Sequence, residues 1–244
     1  MIVKEAVDTV QKRRSRRVAD LAEVPPLETG DRLTRREFER RYNAMLHVKK
    51  AELIEGVVYM PTPVRFQSHA RPHAHVIGWL AVYVAATPGV LLGDNATVRL
   101  DIDNEVQPDA LLRLDPALGG NSRIGADDYV EGAPELIVEV AATSAAYDLH
   151  EKLTVYRRNG VQEYVVWQIH DERLDWFRLS EEEYVPLVPD EAGVVVSQVF
   201  PGLRLNVPAL LDGDLATVLG ELRKGLETEE HAAFAERPSA SQAY

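Results

Sequence analysis

The run Glu135-Leu136-Ile137-Val138-Glu139-Val140-Ala141 limits the fold more than any other stretch of this chain. It is almost continuously apolar and β-branched, the pattern of a central strand buried on both faces. Alternation puts Leu136, Val138 and Val140 on one face and Ile137 and Glu139 on the other. A carboxylate in the middle of such a strand is costly to keep ionised without a partner, and a cation is one partner that removes the cost.

Two further segments break their local pattern in the same way. Val106 to Leu114 reads as a strand, with Asp109, Leu111 and Arg113 on one face and Ala110, Leu112 and Leu114 on the other. Pro108 cannot donate to a ladder, so it belongs at a strand start or edge, and Asp109 stands at the entrance of the apolar part. Asp148 is positioned to cap a helix ending at Asn159-Gly160, with Glu151 in capping-box spacing. Leu149, Lys152, Leu153 and Tyr156 form the buried stripe of that helix, so Lys152 either snorkels at its edge or meets a buried carboxylate. Taken singly, each has a plain structural reading: a strand-edge Asp, a salt-bridged Glu, a boundary Lys. Together, in order on strand, strand and following helix, they point to a catalytic site.

Helical and strand-like segments alternate along the rest of the chain. Thr34-Arg35-Arg36-Glu37 has capping-box spacing, so a helix starts there. Glu52 to Met60 reads as a strand with a Gly turn, and Ser68 to Ala86 as a helix with Val76, Leu80 and Val84 on its apolar face, stopped by Pro88-Gly89. Short strands follow at Val90–Leu92 and Ala96–Leu100. Glu163–Ile169 and Arg173–Leu179 form a hairpin, and a single helix is expected from Pro208 to Leu226. This is one α/β or α+β domain around a mixed sheet, spanning 31–226. An N-terminal extension of 1–30 and a polar, frayed tail of 227–244 flank it. The extension holds a basic run, Lys12 to Arg17, which reads as a solvated helix face or as a short arm touching nucleic acid or a partner.

Composition removes several function classes. With no cysteine, thiolate metal sites, disulfides and thiol nucleophiles are excluded, so any metal is held by oxygen or imidazole. No apolar run is long enough to span a membrane, and the first residues lack a signal peptide's apolar core, so a cytoplasmic protein is expected. The net charge of −12 argues against a broad phosphate-binding surface; nucleic-acid contact would have to be local. No phosphate-binding loop, zinc-protease helix or nucleophile elbow is present, and His73 and His75 are spaced too closely to share a helix face as a zinc pair.

The segments Glu52-Leu53-Ile54-Glu55-Gly56, Gln107-Pro108-Asp109-Ala110-Leu111, Pro134 to Val140, and Tyr147-Asp148 through Glu151-Lys152-Leu153, Tyr156 and Gly160 to Tyr164 resemble the Uma2 family. That is a bacterial family regarded as endonucleases with the restriction-endonuclease-like PD-(D/E)XK fold, a central mixed sheet flanked by helices; here a β-hairpin region is added. The resemblance runs from about Phe38 to Leu179 and leaves the termini uncovered. It implies that Asp109 and Glu139 are metal-binding acids. Ala141 stands where the usual lysine would be, and Lys152 on the next helix matches it instead. Glu52 matches an early acid that adds a ligand or holds a water, with Glu55 a weaker substitute. His69 and His73 match a position where the family often carries His. The chain departs from the family at Ala141-Ala142-Thr143-Ser144 and at Gln168, where an Asp is common.

What the resemblance implies chemically is phosphodiester hydrolysis, with DNA the expected substrate. Asp109, Glu139 and the Val140 carbonyl suit Mg²⁺ or Mn²⁺, hard cations that prefer oxygen. Lys152, kept as an ammonium by the carboxylates, would stabilise charge at the phosphate rather than act as a base. Alanine at Asp109, Glu139 or Lys152 is expected to remove activity and leave the fold intact. Two other readings stand beside this one: a non-cutting nucleic-acid-binding or regulatory module on the same fold, and an assembly protein whose hairpin aromatics Trp167, Trp176 and Phe177 form a homodimer face. Core packing is the first reading of those aromatics.

Overall fold

The computed structural model describes residues 24–60, 64–142 and 148–237. The basic run at Lys12–Arg17, the Thr143-Ser144 departure, Tyr147 and the last seven residues lie outside them. The described residues fall into two compact units, 24–60 with 102–104, and 64–101 with 105–142 and 148–237.

In the first unit, Thr34 caps helix α1 (Arg35–Ala44), its hydroxyl accepting the Glu37 N–H at 3.4 Å. Strands β1 (Glu52–Ile54) and β2 (Val57–Tyr59) pair as a hairpin. Glu55 and Gly56 form its turn with φ of 51° and 71°, the left-handed pair that matches strand twist in a two-residue loop. Leu27, Phe38, Ala51, Leu53 and Val58 make a small core. Leu27 therefore corrects the expected boundary: the end of the supposed extension is packed structure.

The second unit carries a six-stranded mixed sheet in the order β12-β11-β10-β9-β6-β3. Its strands are β3 (Val90–Asp94), β6 (Ala110–Leu114), β9 (Leu136–Ala141), β10 (Glu163–Gln168), β11 (Arg173–Ser180) and β12 (Glu183–Pro186). β9 and β10 run parallel, and every other neighbouring pair is antiparallel. Parallel neighbours need a crossover. Here it is a π-helical turn (Asp148–Lys152) continuing as α3 (Leu153–Arg158). Within the same unit β5 (Glu105–Val106), β4 (Val98–Arg99), β8 (Val130–Glu131) and β7 (Arg123–Ile124) pair in that order. β13 (Val194–Val196) and β14 (Arg204–Asn206) form a separate pair.

Alternation decides what each sheet face touches. Ala110, Leu112 and Leu114, with Leu136, Val138 and Val140, join Val76, Trp79, Leu80 and Tyr83 of α2 (Arg71–Ala85) in the main core. Helices α4 (Val207–Asp212) and α5 (Leu215–Leu226) add Leu210, Val218 and Leu222. Trp167 and Trp176 belong to this core, and Trp176 meets Trp79 edge-on at 5.8 Å, so the hairpin tryptophans are interior residues.

Four expectations change. The Val106–Leu114 strand is two strands, because Pro108 has no N–H for the ladder. The helix expected over Ser68–Ala86 starts two residues earlier as a π turn at Phe66–Ala70, closed by the Ala70 N–H on the Arg65 carbonyl at 3.1 Å, and continues as a regular helix from Arg71 to Ala85. The helix expected over Pro208–Leu226 breaks where Gly213 turns left-handed at φ 76° and Asp214 caps α5. The expected tail contains α6 (Glu229–Ala235), where the buried His231 meets the Thr87 hydroxyl at 2.9 Å. Among the described residues no helix is long and apolar enough to cross a membrane.

Candidate active site

β6 and β9 pair with Ala110 opposite Val138. Asp109 immediately precedes β6, and Glu139 follows Val138 on β9, so each strand carries one acid next to this end of the ladder. The sheet thus brings together two acids separated by thirty positions in sequence. Asp109 is buried, and its Oδ2 accepts the Val140 N–H at 2.8 Å, which locks the carboxylate against β9.

Glu139 is equally buried. Its Oε1 accepts from Lys152 Nζ at 2.8 Å and from the Tyr156 hydroxyl at 2.9 Å. Lys152 is only 3% exposed and also lies 3.6 Å from Asp148 Oδ1. Of the two sequence readings of Lys152, the structure selects the buried ion pair over snorkelling. Asp148 is buried as well, so it is a member of this cluster rather than a solvent-facing cap. The π turn accounts for the difference. It widens the helix just before α3, so the inward face is Asp148, Lys152, Val155 and Tyr156, while Leu149 and Leu153 are only half-buried. Tyr164 backs the cluster: its hydroxyl donates to the Asp148 carbonyl at 3.0 Å and its ring meets Tyr156 edge-on. Burial, helped by the charges of Asp148 and Glu139, pushes the Tyr164 phenol well above its ordinary range, so it serves as a neutral donor.

The buried Lys152 also corrects the expectation that its removal would leave the fold untouched. Deleting one partner of a buried pair leaves the other uncompensated.

Both histidines from the start of the α2 region reach the same place. His69 Nδ1 lies 3.0 Å from the Val140 carbonyl, and its Nε2 is 3.5 Å from Asp109 Oδ1. A carbonyl only accepts, so Nδ1 carries the proton. His73 Nε2 donates to the Asp109 carbonyl at 2.9 Å and faces Asp94 Oδ1 at 3.2 Å. The sequence suggested these two only through resemblance. Asp148 it read as a helix cap and Tyr156 as part of the buried stripe, neither as a site residue, although polar residues at 148, 152 and 156 on one helical face were a usable signal.

Glu52 belongs to the first unit, on β1 opposite Tyr59, and is buried. Glu55 is a turn residue bonded to Asn104. Gln168, where an Asp was the family pattern, donates to Asp175 on β11.

Among the described residues, no three His, Asp or Glu side chains are gathered closely enough to enclose a metal ion. Two cross-strand carboxylates and a carbonyl nonetheless fit a hard divalent ion that keeps several waters and needs only one or two protein carboxylates.

Comparison with known proteins gives the family and the fold. Residues 35–208 match the family profile Uma2, described as "Putative restriction endonuclease". A crystal structure titled as a "putative nuclease belonging to DUF820" from Anabaena variabilis aligns at a TM-score of 0.52 with 13% identity, over 70% of this chain and 97% of that one. At that identity the likeness is one of fold. No curated protein matches the chain.

Proposed function

The chain belongs to the Uma2 family of restriction-endonuclease-like nucleases, and from that premise we propose that it is a divalent-metal-dependent endonuclease acting on DNA, with Asp109, Glu139 and Lys152 at its centre. One observation carries the reading: Asp109, at the mouth of β6, and Glu139, on the neighbouring β9, are both buried, with a buried ammonium 2.8 Å from the second. Structural salt bridges rarely bring an extra carboxylate to an already paired one, because like charges in low dielectric repel. An arrangement built to receive a cation has a reason to do so.

Asp109, Glu139 and the Val140 carbonyl would hold the ion, which when bound supplies charge neutralisation at the scissile phosphate. The protein's own groups do the rest. Val140 N–H fixes the Asp109 carboxylate, and Tyr156 fixes Glu139. Lys152 places a positive charge where the phosphate's charge grows. His69 ties the Val140 carbonyl to the Asp109 side chain and so keeps the two strands in register at the site. Glu52, in the first unit, has no part in this proposal.

The test is cleavage of supercoiled plasmid and of single-stranded DNA in Mg²⁺ or Mn²⁺ at low salt, against EDTA and against Asp109→Asn. Asn keeps an acceptor for the Val140 N–H, so folding is preserved while the charge is lost. Wild-type cleavage that chelation stops, and that falls at least about a thousand-fold in Asp109→Asn, is expected. Cleavage by the variant at the wild-type rate would remove Asp109 from the site. Binding of DNA without cleavage under all conditions would favour the non-cutting module.

A further inference from the structure

Asp and Glu make up 39 of the 244 residues, yet none falls between Glu55 and Asp94. Inside that gap, residues 65–75 read Arg-Phe-Gln-Ser-His-Ala-Arg-Pro-His-Ala-His. In a chain of net charge −12, this is a basic and aromatic stretch with no acid of its own. The structure places the segment at the candidate site, because its His69 and His73 hold Val140 and Asp109.

The other side of the same segment faces outward. Phe66 is 67% exposed, whereas the largest aromatic side chains, Trp79 and Trp176, are fully buried. Arg65 and Arg71 are exposed beside it. Arg71 donates to Gln67 Oε1 at 3.4 Å, a neutral acceptor. Gln67, Arg71 and His75, at four-residue spacing, line a recess of about 180 Å³ with Trp167, Ile169 and Glu172. Trp167 pairs with Val140 across β10 and β9, so this recess lies one strand from the carbonyl that His69 holds. Burial, and then the Arg71 charge, push the His75 imidazole below its ordinary range, so its ring faces the recess without adding charge.

We propose that segment 65–75 is the surface on which an unpaired nucleic-acid strand lies as it enters the site, with Arg65 and Arg71 on its phosphates and Phe66 stacked on a base. The proposal deepens the nuclease reading and rests on it for the identity of the ligand. An exposed aromatic ring gives stacking energy only to a base that is not already stacked in a duplex. Two arginines on an otherwise acidic surface reach few phosphates, which is too little for tight duplex binding by charge alone. Stacking beside a short basic strip is the means by which a protein this acidic can take a nucleic acid at all.

The experiment uses the full chain in EDTA, with fluorescence anisotropy on a labelled oligothymidylate, an oligouridylate and a duplex of equal length. Wild type, Phe66→Ala, Arg71→Gln and a distant control, Arg223→Gln on the exposed side of α5, are compared. Cleavage of the same strands in Mn²⁺ is followed separately. Unpaired strands are expected to bind more tightly than the duplex, and the two unpaired arms tell DNA from RNA. Phe66→Ala should weaken that binding roughly 5- to 100-fold. Arg71→Gln should lower the salt slope by about 0.7. Arg223→Gln should change neither. Unchanged binding and cleavage in both surface variants, with an active wild type, would overturn this surface and leave the nuclease standing. Variant-sensitive binding with no cleavage by wild type would overturn the nuclease and leave the surface. Equal affinity for duplex and unpaired strand, or no binding at all, would overturn the surface outright.

Discussion

Lys152→Met is expected to lose both nuclease activity and a large part of the protein's stability. Methionine fills much the same volume but removes the ammonium that sits 2.8 Å from Glu139 and 3.6 Å from Asp148. Both carboxylates are then buried without their cation, and breaking a buried pair from one side costs about 3–5 kcal/mol. At the phosphate, loss of a positioned charge removes roughly 10²- to 10³-fold in rate. The two effects separate in the double variant Lys152→Met/Glu139→Gln. Neutralising Glu139 should recover much of the stability in urea unfolding with EDTA present, while plasmid cleavage stays lost. A single variant that cuts as fast as wild type would show that the catalytic lysine is elsewhere. One that unfolds at the wild-type urea midpoint would show that the pair contributes nothing to the fold.

The second large effect is expected at a residue with no part in the chemistry. Glu163 opens β10 and is completely buried. Its Oε2 accepts from the Ser197 hydroxyl at 2.8 Å and from Trp176 Nε1 at 3.2 Å. Its Oε1 accepts from the backbone N–H groups of Gln198 at 2.6 Å and Val199 at 3.2 Å. One carboxylate thus satisfies the loop between β13 and β14. Glu163→Ala strands several buried donors at once, with an expected cost of about 3–5 kcal/mol. A shift of the urea midpoint equivalent to less than about 1 kcal/mol would mean that water or a rearranged loop replaces the carboxylate.

Glu163 also predicts a pH dependence. Burial raises its carboxyl above the ordinary value of 4.5, while the hydrogen bonds from Ser197, Gln198, Trp176 and Val199 oppose the rise. The folded state therefore holds the proton more tightly than the unfolded chain. The group's contribution to stability is complete below the unfolded value and is lost as pH climbs through the folded one. The melting temperature of wild type minus that of Glu163→Gln, in which nothing titrates, should accordingly fall as pH rises above the ordinary carboxyl value of 4.5. A gap that widens over that range would mean the hydrogen bonds outweigh burial.

Much of the site was legible because local pattern decides which way a side chain faces. Alternation in β9 put Glu139 on the face opposite Val138 and Val140, and the structure keeps it there. Pro108 signalled the strand start that leaves Asp109 at its mouth. Lys152 was marked as inward by helical spacing. These are properties of a few consecutive residues, and steric and hydrogen-bonding rules fix them before any tertiary contact forms.

Other features depend on neighbours far away in the chain, and there sequence pattern gave little or was misleading. The pairing of Ala110 with Val138 brings the strand that follows Asp109 beside the strand that carries Glu139, and no local rule specifies a cross-strand register. The π turn at Asp148 moved that residue from a cap to a buried partner, because packing of the crossover against β9 and β10 outweighs capping preference. His69, His73 and Tyr156 gain their roles only when their helices dock on the sheet. Gly213 breaks a helix that apolar periodicity would have continued. What the sequence determined by itself is which residues must be inside and which of them are chemically out of place there. Tertiary structure alone decided which of those meet, since burial is set by each segment's own pattern and contact by the free energy of the whole packed unit.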